Sequence, residues 1–132
     1  MGLVHVKAKI ANPARPKTSA TVTFLVDSGA VYSVVPAAIL RRLGIKAHGS
    51  RTFQLADGTQ IKRQIGDAIF LIDGERGASP VIFGEKGDST LLGAVSLESL
   101  GLMLDPIRRV LKPLPMVLGQ WEAVNAKPAG SA

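Results

Sequence analysis

Asp27, Ser28 and Gly29 are the residues of this chain best arranged for chemistry. They follow an apolar run, Thr23-Phe24-Leu25-Val26, and a second, Val34-Val35, comes soon after. An ionised carboxylate delivered by a buried strand loses hydration unless something compensates it. The hydroxyl after the Asp can hydrogen-bond to fix the loop. The Gly lets backbone N–H groups approach the carboxylate and offset its burial. The chemistry that suits such a group is shared acid–base work. One ionised carboxylate takes a proton from water, while a second, protonated, polarises a carbonyl. Two carboxyl groups about 3 Å apart cannot both ionise, so the pair splits its titration. Taken alone, Asp27 also reads as a simple turn residue, since Asp and Ser both favour turns.

The elements that must position this loop are short. Val4, Val6 and Ala8 alternate with His5, Lys7 and Lys9, the pattern of a half-buried strand. A turn is expected over residues 12–17, then a strand over residues 19–26 that ends on Asp27. Residues 31–35 read as extended. Pro36 suits a first helical position, and residues 37–43 read as a short helix stopped by Gly44. Asp57-Gly58 lies between two alternating segments, residues 52–55 and 59–62, and signals a hairpin. Strands are expected over residues 68–72 and 80–83, with Asp73-Gly74 as a turn and a polar loop over residues 84–88. Leu91-Leu92-Gly93 is a short apolar run. One or two helical turns follow over residues 96–100, then a last hairpin around Asp105-Pro106. The sum is about seven strands and two short helices, an all-β chain with a closed sheet.

Composition bounds the class. At 132 residues the chain reads as one domain, residues 1–122, with a loose tail over residues 123–132. Trp121 reads as a packing anchor at the end of the fold. There is no cysteine, which excludes disulfides and thiol chemistry. The first residues lack the basic start and apolar core of a signal peptide. No apolar stretch approaches the roughly 18 residues that span a bilayer. A cytoplasmic location without membrane contact is the simplest expectation. The net charge is +6, but the bases are scattered and never more than two adjacent. They read as solvated strand edges and helix faces, so no nucleic-acid partner is expected.

Other chemistries fit poorly. Ser28 as a nucleophile needs a base, and the chain holds only His5 and His48, with no Gly-x-Ser-x-Gly elbow. Two scattered histidines are too few for a metal centre, so neither metal nor cofactor is expected.

The chain resembles the retropepsin-like aspartic proteases over residues 21–111. Phe24-Leu25-Val26-Asp27-Ser28-Gly29-Ala30 matches the catalytic-loop motif of that family. Gln54-Leu55-Ala56-Asp57-Gly58-Thr59-Gln60 falls where the family has its flap hairpin. Leu91-Leu92-Gly93 matches its apolar-apolar-Gly element, followed by its helix. The resemblance implies a closed pepsin-like barrel and aspartic endopeptidase activity. It makes Asp27, Ser28 and Gly29 the catalytic loop, and Ala30, Ala56, Asp57, Gly58 and Thr59 the substrate-binding set.

Only one Asp-Ser-Gly is present. Asp57-Gly58-Thr59 and Asp88-Ser89-Thr90 are near-matches, but neither ends an apolar strand with Asp, Ser or Thr, then Gly. The second carboxylate must then come from another copy, so a twofold homodimer acting on a peptide or protein is expected. Viral members pair an acidic residue, two positions after the motif Gly, with an Arg after the apolar-apolar-Gly. Here Val31 and Ala94 stand there. Losing both partners together can be nearly neutral, whereas losing one strands a charge. A cellular or prokaryotic variant that braces its dimer otherwise is expected, through residues 102–111 or 114–121. The alternative is a non-catalytic dimeric module of the same fold that binds an extended peptide or scaffolds a partner.

Overall fold

A computed structural model describes residues 3–116, 118 and 119 of the chain. The expected tail and Trp121 lie outside the described residues.

Among the described residues nine strands and two short helices are present, two strands more than the sequence suggests. The strands are β1 (His5–Asn12), β2 (Arg15–Val26), β3 (Ser33–Pro36), β4 (Gly49–Gln54), β5 (Gln60–Ile72), β6 (Glu75–Gly84), β7 (Leu91–Leu92), β8 (Leu102–Asp105) and β9 (Val110–Pro113). The helices are α1 (Ala37–Arg42) and α2 (Ala94–Ser99).

One sheet runs in the order β1-β2-β7-β3-β6-β5-β4, and β1 also pairs with β5. The sheet thus closes on itself as a ring of six strands, with β4 outside it on β5. Closure leaves the ring strands without free edges. The pairing of β1 with β5 is short, Lys9 to Leu71 through Ala11 to Ile69. The last two strands form a separate hairpin.

Several expected boundaries shift because local turns are tighter than composition suggests. Residues 12–17 are mostly strand. The Asn12 side-chain oxygen accepts from the Ala14 N–H at 2.9 Å, and its amide donates to the Leu43 carbonyl at 3.1 Å. This Asx turn reverses the chain in two residues, so β2 starts at Arg15. The strand expected over residues 68–72 is the far half of one long strand, β5. Its near half pairs with β4 as a hairpin and its far half enters the ring. Asp73 and Gly74 take φ values of 48° and 83°, which is the mirror-image turn that suits strand twist. Pro36 sits one residue before α1 rather than within it.

The ring encloses the core. Phe24 and Phe70 meet inside it with ring centroids 6.0 Å apart, and Ile10, Val35, Val81 and Leu92 are fully buried beside them. Leu40 of α1 and Leu97 of α2 close the core. Each such side chain contributes about 1.5–3 kcal/mol through burial. Among the described residues, no helix is long and apolar enough to cross a membrane.

Candidate active site

Strand β2 carries Val26 into the core and releases the chain at Asp27. The buried positions Val22, Phe24 and Val26 alternate along it, so Asp27 leaves on the half-buried side. β7 runs parallel to β2, with Leu25 opposite Leu91 and Val26 opposite Leu92. The Asp27 N–H donates to the Leu92 carbonyl at 3.0 Å. The motif Leu91-Leu92-Gly93 therefore lies beside the Asp27 loop.

The loop itself is a tight turn. The Ala30 N–H donates to the Asp27 carbonyl at 3.1 Å, and the Gly29 N–H donates to Asp27 Oδ1 at 3.0 Å. A Cβ at Gly29 would sit 3.3 Å from that oxygen. Gly at this position thus allows the backbone to reach the carboxylate. Asp27 is half-buried, while Ser28 and Gly29 are exposed. In a single chain the loop faces outward and its carboxylate keeps access to water.

Gly93 locks the loop from the other side. The Ala94 N–H donates to the Ala30 carbonyl at 2.7 Å, and the Val95 N–H to the Val31 carbonyl at 3.0 Å. A Cβ on Gly93 would lie 2.6 Å from the Tyr32 carbonyl carbon and 3.0 Å from the Ala30 oxygen. Only glycine fits there. Val31 is 58% exposed, and Ala94 is half-buried beside it. The two positions that lack the viral charges are therefore backbone neighbours.

Sequence reasoning missed a buried set of three serines beneath this loop. Ser33, Ser79 and Ser96 come from β3, β6 and α2 and are buried. The Gly93 N–H donates to Ser33 Oγ at 2.9 Å. Ser33 Oγ and Ser96 Oγ are 2.5 Å apart, Ser96 and Ser79 2.6 Å, and Ser79 donates to the Pro80 carbonyl at 2.9 Å. Each hydroxyl has one proton, so the direction is forced. Ser79 spends its proton on Pro80, Ser96 donates to Ser79, and Ser33 donates to Ser96. Such aligned chains reinforce one another in a low-dielectric interior. The residues are too far apart in sequence, and serine too common, for any spacing signal to flag them. Ser96→Ala should strand the Ser33 proton and cost about 1–3 kcal/mol, read as a lower denaturation midpoint.

The flap-like hairpin is β4 and β5 with its tip at residues 55–59. The Leu55 N–H donates to the Thr59 carbonyl, and the Thr59 N–H to Asp57 Oδ1 at 2.8 Å. Gly58 has φ 88°, which a side chain would resist. Ala56, Asp57, Gly58 and Thr59 are all exposed. The Thr59 side chain, then its backbone N–H, holds the Asp57 carboxyl below its ordinary value. Tyr32, just past the Asp27 loop, meets Phe53 of β4 edge-on, with centroids 6.3 Å apart at 81°. Both are half-buried. This contact is what brings the hairpin against the loop.

The remaining acidic candidates are accounted for elsewhere. Asp88 is bound by Arg63, not placed at a strand end. His48 lies 3.3 Å from Asp67, with both side chains at least half exposed, and His5 is exposed on β1. A cleft of about 560 Å³ is lined by Val34, Pro36, Arg41, Glu85 and Thr90, among others, and does not include Asp27.

Comparison with known proteins agrees with this geometry. A family model described as aspartyl protease matches residues 6–68, which contain both the Asp27 loop and the hairpin tip. The fold is similar to the retroviral protease-like domain of Ddi1 from Leishmania major. That likeness has a TM-score of 0.56 and 19% identity, over 88% of this chain and 91% of that one. The Simian foamy virus (mac) protease is also similar, with a TM-score of 0.49 and 18% identity, over 74% of this chain and 92% of that one. No curated protein sequence matches the chain. In fold this chain is retropepsin-like, and its residues 6–68 carry the sequence pattern of the aspartyl protease family model.

Proposed function

We propose that the chain is an aspartic endopeptidase that works as a homodimer, with Asp27 of each copy forming the catalytic pair. The observation that carries the reading is the tight, hydrogen-bonded Asp27-Ser28-Gly29 turn, a motif present once in the sequence and open to solvent. Its Asp27 carboxylate is positioned by Gly29 and by β7, yet among the described residues no second carboxylate shares that setting. Across a twofold axis, one Asp27 would be protonated and polarise the scissile carbonyl. The other, ionised, would take a proton from the attacking water. Ser28 would hydrogen-bond across the axis. Gly29 and Ala30 would form the floor of the peptide groove, and Ala56, Asp57, Gly58 and Thr59 its roof. An extended peptide between them pairs its backbone and offers alternate side chains to pockets.

The distribution of apolar surface supports the dimer. Among the described residues, the exposed large hydrophobics are Leu3, Val31, Leu55, Ile107, Val110, Met116 and Leu118. They fall at the lead-in to β1, the Asp27 loop, the hairpin tip, and the β8–β9 hairpin with the residues after it. The Arg109 guanidinium donates to the Leu3 carbonyl at 3.0 Å, and the Val26 N–H donates to the Val4 carbonyl at 2.8 Å. The β8–β9 tip is thereby tied to the strand pair that ends in Asp27. The tip is rigid, because Asp105 Oδ1 accepts from the Ile107 and Arg108 N–H groups. It holds Ile107 91% exposed. A preorganised apolar tip of this kind suits the dimer contact that the absent ion pair at Val31 and Ala94 would otherwise make.

The test is cleavage of a peptide library over a range of protein concentration and pH. Activity per chain should rise with concentration until the dimer saturates. It should follow a bell-shaped pH profile set by the pair, fall with a statine peptide, and survive EDTA. Activity independent of concentration, or lost with EDTA, would overturn the reading. A protein that binds extended peptides without cutting them would instead support the scaffolding alternative.

A further inference from the structure

We infer that Arg63 is a positioning residue that ties the flap hairpin to the loop feeding β7, so that one side chain sets the height of the peptide groove. The inference rests on the peptidase reading above.

Arg63 lies on β5, a few residues past the hairpin tip, and its side chain is only 14% exposed. Its Nε donates to Asp88 Oδ2 at 2.7 Å and its NH2 group to Asp88 Oδ1 at 3.0 Å. This is the two-pronged pairing that fixes orientation as well as distance. The NH1 group donates to the Lys62 carbonyl at 3.0 Å and lies 3.6 Å from Glu85 Oε1. Asp88 is fixed in turn. Its Oδ2 accepts from the Glu85 N–H at 2.8 Å, and the Asp88 N–H donates to the Glu85 carbonyl at 2.9 Å. The loop over residues 85–90 is therefore closed on itself and clamped by Arg63.

The far end of that loop reaches the catalytic strand. The Thr90 carbonyl accepts from the Leu25 N–H at 2.9 Å, and Leu91 then pairs with both Leu25 and Val34. A continuous path runs from the flap through Arg63, Asp88 and Thr90 to the strand that carries Asp27. Tyr32 against Phe53 is the second link between the same two parts. An exposed surface ion pair contributes little, but this pair is two-pronged, partly buried and joined to a backbone cap. A groove wall set by such a pair holds a peptide at a defined depth. Small displacements there cost as much as 100-fold in rate.

The pair also resists acid. The Arg63 guanidinium, through its hydrogen bonds, holds the Asp88 carboxyl below its ordinary value, and the Arg63 value is raised to match. The charged group bound to Asp88 is Arg63 from β5, with Glu85 of its own loop beside the same guanidinium; Lys86 and Arg41 of α1 line the cleft that Asp88 also lines. A carboxyl with a lowered folded value contributes stability at all pH above its unfolded value. That contribution is lost as pH falls through the folded value. The clamp therefore persists to lower pH than an unpaired carboxylate would allow and opens as pH falls through the lowered Asp88 value.

The test compares wild type, Arg63→Ala and the charge-swapped pair Arg63→Asp with Asp88→Arg, with two readouts. The first is amide hydrogen exchange over residues 49–65. Arg63→Ala should speed exchange there at least tenfold without speeding it in β1 or β6, and the swap should restore part of the protection, since an Arg at 88 re-forms the ion pair but cannot accept the Glu85 N–H. Unchanged exchange in Arg63→Ala would overturn the clamp. The second readout is steady-state cleavage. Arg63→Ala should lower kcat/KM by about 10- to 100-fold, mainly through KM, with partial recovery in the swap. A loosened hairpin with unchanged kcat/KM would overturn the positioning role. If Arg63→Ala does not fold, Arg63→Lys keeps the charge without the fork and should show the same partial loosening. A wild type that cleaves nothing, but whose hairpin loosens as described, would overturn the peptidase reading and leave the clamp standing.

Discussion

Asp27→Asn is expected to lower kcat by roughly 10⁴-fold while leaving fold and dimer intact. Both members of the pair change at once in a homodimer. An amide cannot take a proton from water, nor give one to the carbonyl, so both halves of the acid–base cycle fail. The loop should survive, because what holds it is backbone. The Asp27 N–H and carbonyl bond Leu92 and Ala30, and the side chain accepts a single N–H from Gly29. The amide oxygen of Asn accepts that bond equally well. Sedimentation and circular dichroism should be unchanged, and turnover lost. Full activity in the variant would remove Asp27 from the mechanism.

Gly93→Ala is expected to be severely damaging, one of the two added methyls, with Gly77, that would clash hardest with backbone among the described residues. The new Cβ would press on the Tyr32 carbonyl group at distances real Cβ atoms do not reach, and would lie tight against the Ala30 oxygen at 3.0 Å. These are backbone atoms inside a hydrogen-bonded loop and cannot swing aside. The loop must move, breaking the Ala94 to Ala30 and Val95 to Val31 bonds or the Gly93 to Ser33 bond. The cost should be about 3 kcal/mol or more, read from chemical denaturation. Activity should fall further than stability alone explains, because residues 30–32 follow directly on Asp27. A variant with wild-type stability would mean that the loop is softer than its bonds suggest.

The sequence carried the parts of the site that local chemistry governs. An Asp after an apolar strand, a Gly that admits N–H groups, and Asp-Gly at a hairpin tip all have causes within a few residues. Leu91-Leu92-Gly93 was legible as an element, and the family resemblance supplied its place beside Asp27. What escaped depends on partners far apart in the chain. The serine chain joins residues 33, 79 and 96 through hydroxyls that carry no pattern. Arg63 and Asp88 are 25 positions apart, and each reads alone as a solvated charge. The long strand β5 reads as two because its near half is polar, on the hairpin outside the ring, and its far half is buried in the ring. β1 and β5 close that ring by three residue pairs, which no periodicity announces.

The central claim is that two copies of Asp27 form one site, and the measurement that tests it most directly is a crystal structure of the assembled protein. The account predicts two chains related by a twofold axis through the Asp27 loops. It also predicts carboxylate oxygens about 3 Å apart. Asp27 residues held far from each other, in a protein that still cleaves peptides, would contradict it.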